Sequence, residues 1–69
     1  MKVVAEVAGK VWKIEAQAGA QLAADDVILI VESMKMEIPV VAPRAGKLLA
    51  LLVKEGEALN EGDAVAEME

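Results

Sequence analysis

The amine of Lys35 is the one reactive group in this chain that its neighbours set apart. It lies between two methionines in the run Glu32-Ser33-Met34-Lys35-Met36-Glu37. The chain has no His, Cys or Tyr, and Ser33 is a lone hydroxyl without an imidazole, so nucleophilic and acid–base catalysis lack their parts. Ser33 reads as a turn residue rather than a nucleophile. A lysine amine in water is protonated at neutral pH and a poor nucleophile, and the carboxylates of Glu32 and Glu37 are weak bases. The chemistry open to Lys35 is that of an amine acted on from outside. Met34 and Met36 are what an outside partner would read.

Stepping outward from Lys35, the pattern requires a chain reversal at this point. The apolar run Val27-Ile28-Leu29-Ile30-Val31 precedes it, and Glu37 to Val41 follows. Reversals are normally built from Gly, Asn, Asp, Pro or Ser, which tolerate positive φ or bond their own backbone. Met-Lys-Met supplies none of that chemistry. Two methionines at a tip cost solubility and add nothing to folding. The competing arrangement turns them back into the core and leaves Lys35 as an ordinary surface cation.

The hairpin sits inside an internal repeat. Shifting the sequence by 37 positions pairs Ala5–Glu32 with Ala42–Glu69 without a gap, with 8 of 28 positions identical. The identities are Ala5/Ala42, Ala8/Ala45, Gly9/Gly46, Lys10/Lys47, Gly19/Gly56, Leu22/Leu59, Asp26/Asp63 and Glu32/Glu69. Glycine at repeated positions implies turns with positive φ or close backbone approach. Two like halves imply a pseudo-twofold axis, with Ser33 to Val41 as connector. That operator predicts Lys35 at one end of the molecule and the termini at the other.

The local pattern is β throughout. It predicts strands over Val3–Val7, Lys10–Ala16, Gln21–Leu22, Val27–Val31, Glu37–Val41, Lys47–Val53 and Ala64–Met68. Turns are expected at Ala8-Gly9, Gly19, Pro43 to Gly46, Glu55-Gly56 and Asn60 to Asp63. Pro39 must lie on an edge or at a non-donating position. About eight short strands in two equal halves predict an all-β sandwich or flattened barrel. Trp12, matched by Leu49 in the repeat, is expected to be at least partly buried against an aliphatic core.

Composition bounds the rest. At 69 residues this is a single domain, residues 1–69, able to bury roughly 60% of its unfolded surface. The absence of cysteine rules out disulfides and thiolate metal sites, and suits a reducing cytosol; cytoplasmic localisation is the expectation. No secretory signal is evident, since Glu6 breaks the run Val3-Val4-Ala5. The apolar runs are too short to span a bilayer. A net charge of −5 with no basic stripe argues against nucleic acid.

The segment Glu32 to Val40, followed by Ala42-Pro43-Arg44-Ala45-Gly46, resembles the biotinyl domain of biotin carboxyl carrier proteins. In particular it is similar to the short, free-standing biotin/lipoyl attachment proteins, and the likeness covers essentially the whole chain. The resemblance implies a barrel-sandwich hybrid: a flattened β-barrel of two four-stranded antiparallel sheets with pseudo-twofold symmetry. It also implies an exposed Met-Lys-Met hairpin tip with biotin in amide linkage to Lys35. Met34 and Met36 would be flanking recognition residues, with Glu32, Ser33 and Glu37 as weaker contributors. A biotin protein ligase would supply the activated acyl group. The loaded domain would carry carboxybiotin between biotin carboxylase and carboxyltransferase sites as a carrier, not an enzyme.

Two departures stand out. Ser33 replaces the commoner alanine, and the gap-free first half leaves no room for a protruding "thumb". Two further readings accompany the main one. Lipoyl domains share the fold and would need a lipoate ligase; they usually carry Asp-Lys-Ala at the tip, yet Glu32-Ser33 is similar to glycine-cleavage carriers. An unmodified interaction module, similar to barrel-sandwich segments of efflux adaptors, would lack the Met-Lys-Met tip.

Overall fold

Short aliphatic and β-branched runs, interrupted every few residues by Gly, Asp or Pro, favour strands over helices. The computed structural model describes residues 1–69. Its strands are β1 Lys2–Val4, β2 Gly9–Ile14, β3 Gln21–Leu22, β4 Val27–Ser33, β5 Met36–Val41, β6 Gly46–Leu51, β7 Ala58–Leu59 and β8 Ala64–Met68. They form two four-stranded sheets, ordered β1-β8-β6-β3 and β5-β4-β2-β7, with every pairing antiparallel. This is the all-β, two-sheet architecture expected.

The 37-residue repeat is written into the backbone. It carries β2 onto β6 and β3 onto β7, starts β8 where β4 predicts, and maps β1 into β5. The order of one sheet thereby becomes the order of the other. Irregularities obey the same operator. Register shifts leave Trp12 unpaired in β2 and Leu49 in β6, and likewise Ile28 in β4 and Val65 against β1. These are β-bulges, each of which bends its strand and raises the local twist.

Two repeated residue pairs now have a physical reason. Gly19 and Gly56 have φ of 94° and 90°, and their N–H groups donate to the carbonyls of Leu48 and Val11, each at 2.7 Å. Asp26 and Asp63 accept from the backbone N–H of Ala23 and Asn60 at 2.9 and 2.8 Å. These side chains close the turns before β4 and β8 by satisfying backbone donors locally.

All 16 buried residues are hydrophobic and form one cluster between the sheets. Ile28, Leu29, Val31, Leu48, Val65 and Met68 are completely enclosed. Pro39 lies in β5, an edge strand, as its missing N–H requires. Trp12 is partly buried, but no more than that. It is 47% exposed, as is its counterpart Leu49, so the indole is a surface group and not a core anchor. Val11 points into the core, so strand alternation puts the next side chain, Trp12, on the solvent side, and the bulge leaves Lys13 exposed beside it.

Candidate functional site

The site is built by the β4–β5 hairpin. Glu32 lies opposite Glu37, and Ser33 opposite Met36, leaving a two-residue loop of Met34 and Lys35. Their φ values are 52° and 65°. Positive φ at both central residues is the signature of a type I′ turn, the tight reversal whose twist matches its strands. Asn-Gly is the sequence such a turn prefers. Here two side-chain-bearing residues occupy left-handed backbone, at a cost of roughly 1–2 kcal/mol each. The other positive-φ residues fall in repeat-related pairs, Gly19 with Gly56 and Asp25 with Gly62. Met34 and Lys35 have no such counterpart. No turn-forming residue stands at this reversal; a methionine and a lysine hold the two positions with full side chains.

Those side chains project into solvent. Met34 is 92% exposed and Met36 63%, whereas Met68 is fully buried. The methionines therefore do not turn back into the core. Lys35 is exposed and belongs to none of the molecule's three ion pairs, which join Glu67 to Met1 and Lys2, and Lys13 to Glu15. Its amine is open to an incoming group.

The base of the hairpin is set from β2. A Cβ placed on Gly9 would lie 2.5 Å from the Glu32 carbonyl oxygen and 2.7 Å from a Val31 methyl. Only glycine lets β2 approach β4 this closely, three residues before Lys35. One rung of exposed residues crosses the sheet there, with Lys10 opposite Glu32 and Glu32 opposite Glu37. Two carboxylates directly opposed repel one another. The rung thus presents acidic charge behind an apolar, amine-bearing tip. Ser33 is half-buried and makes no side-chain hydrogen bond, in keeping with a turn-flanking role.

The structure thus brings all six residues singled out from the sequence onto one hairpin. Sequence reasoning missed the left-handed backbone of Met34 and Lys35, and the close packing of Gly9 under Glu32. The first was signalled by the absence of turn-forming residues at the reversal. The second was signalled by the repeated Gly9/Gly46 pair. A groove of about 340 Å³ between β1 and β5, lined by residues such as Val3, Val4, Val7, Ile38, Pro39 and Val41, was also not foreseen. Lys35 does not line it.

Comparison with known proteins agrees with this geometry. The family described as "Biotin-requiring enzyme" matches residues 1–68. The biotin/lipoyl attachment protein of Bacillus subtilis is 44% identical over 68 residues, 99% of this chain and 93% of that protein. The biotinylated protein TB7.3 homolog of Mycobacterium leprae is 39% identical over 93% of this chain and 90% of its own length. Among solved structures, the urea carboxylase of Kluyveromyces lactis superimposes with a TM-score of 0.91 at 36% identity. That match covers 96% of this chain and 6% of the far longer carboxylase. With its sequence matched end to end and its two-sheet fold shared, this chain belongs to the biotin/lipoyl attachment family of biotin-requiring enzymes.

Proposed function

We propose that this domain is a biotin carrier in which Lys35 is the attachment residue. The observation that carries the reading is the type I′ tip: an exposed, unpaired amine flanked by two exposed methionines, on backbone that favours other residues. Biotin fits this tip, because its carboxyl needs an accessible amine to form an amide, and Lys35 offers one without breaking an ion pair. When bound, biotin supplies the capacity to accept and give up a carboxyl group.

The chain's own residues account for the rest. No base adjoins Lys35 to deprotonate it, so activation falls to a biotin protein ligase that delivers an activated acyl group. Met34 and Met36 give that ligase an apolar grip on either side of the amine. Amide formation removes one positive charge, taking the formal net charge from −5 to −6. The bulged, twisted sheets and the apolar core hold the hairpin base still. The loaded side chain then visits biotin carboxylase and carboxyltransferase sites at high effective concentration.

The test compares acceptors. The purified protein is incubated with ATP and either biotin plus biotin protein ligase or lipoate plus lipoate ligase, and intact mass is recorded. One biotinyl group per chain is expected. Efficient lipoylation with no biotinylation would overturn the assignment.

A further inference from the structure

Of the four methionines, the two that flank Lys35 are 92% and 63% exposed, Met1 is 45% exposed, and Met68 is sealed in the core. A thioether in solvent is readily oxidised, whereas one enclosed by aliphatic side chains meets no oxidant. The grip that marks the attachment lysine is therefore the most oxidisable surface of the molecule. We propose that Met34 and Met36 are a reversible oxidation site for hydroperoxides, and that sulfoxide formation there closes Lys35 to loading. This rests on the carrier reading above and adds regulation to the same tip.

The chemistry balances with hydrogen peroxide as the oxidant. The methionine sulfur donates an electron pair to one peroxide oxygen, and the O–O bond breaks as an S–O bond forms. A proton shift onto the departing oxygen releases water. The sulfur is oxidised by two electrons and the peroxide is reduced by two. The product is a polar, chiral sulfoxide where the ligase met an apolar, flexible side chain. The fold is spared, because Met68 is the methionine on which the core depends and it is fully enclosed. The effect is local to recognition. Methionine sulfoxide reductases, one for each sulfoxide epimer, restore the thioether and with it the acceptor: a dithiol supplies two electrons and two protons, is oxidised to a disulfide, and the sulfoxide oxygen leaves as water.

The test uses the whole chain in dilute hydrogen peroxide, with peptide mass mapping to place each added oxygen. Oxygen should appear on Met34 first, then Met36, ahead of Met1, and not on Met68. Protein oxidised at both tip sulfurs should be biotinylated at least tenfold more slowly than untreated protein, and treatment with both reductases and a dithiol reductant should recover the rate. The Met34→Leu/Met36→Leu double variant loads at its own rate, and peroxide should leave that rate unchanged. An oxidised tip that loads as fast as the untreated one, or oxidation that favours Met1, overturns this inference while the carrier reading stands. Untreated protein that accepts no biotin sinks both.

Discussion

At the scale of single residues, the tip trades backbone comfort for chemistry. Met34 at φ 52° stands where glycine would be at ease. Met34→Gly should stabilise the domain by about 1 kcal/mol, seen as a higher denaturant midpoint with unchanged slope, while slowing biotinylation. A variant that is less stable, or that loads unchanged, would show that the side chain serves folding instead. Lys35→Ala keeps a Cβ in the same left-handed backbone and loses no ion pair, so its stability should shift by under ~0.5 kcal/mol while all loading is lost. Trp12 belongs at this scale too. With 47% of its surface in water, Trp12→Ala should cost about 1–2 kcal/mol, below the ~3–5 kcal/mol of a buried ring. A large loss of stability, or an emission maximum of a fully enclosed indole, would contradict the placement of this side chain.

At the scale of elements, the two halves are alike in topology but unequal in tolerance. Gly9 and Gly46 are repeat counterparts, yet a Cβ at Gly9 meets backbone oxygen at 2.5 Å while one at Gly46 meets the flexible end of Met68 at 3.4 Å. Gly9→Ala should therefore cost about 1–3 kcal/mol and spread β2 from β4 beneath the tip, whereas Gly46→Ala should cost clearly less. Equal effects in urea melts would count against this close approach. Much of the element layout was legible beforehand because side chains enforce it. The apolar run of β4, the paired glycines and the aspartates before β4 and β8 each leave a mark in residue type. What was illegible lies in backbone pairing. β4 continues through Glu32 and Ser33 by hydrogen bonding to β5 without any apolar pattern. β1 stops at Val4, because the chain bends at Glu6 and Val7. Gly9 opens β2 rather than closing a turn. β7, only Ala58–Leu59, is too short to signal itself and is betrayed only as the counterpart of β3. The bulge at Trp12 adds one residue to a strand, so that Val11 and Ile14 both turn inward with two exposed residues between them, which no periodicity in so short a segment reveals.

At the scale of the whole molecule, a small core with no buried polar side chain holds two sheets together, and the proposed acceptor amine lies on one hairpin tip. The proposed attachment residue stands out in the sequence because Met-Lys-Met conflicts with what a turn needs, and such conflicts between local and global demands are expected at functional sites. The central claim is that this hairpin, and no other part of the surface, receives the cofactor. Six lysines are available, and Lys35 alone has a methionine on both sides. The most direct test is to biotinylate the protein with ligase and map the adduct by peptide mass in parallel with Lys35→Arg. The account predicts one biotinyl group, located on Lys35, and none on the variant. An adduct on Lys10 or Lys47, or continued loading of Lys35→Arg, would contradict it.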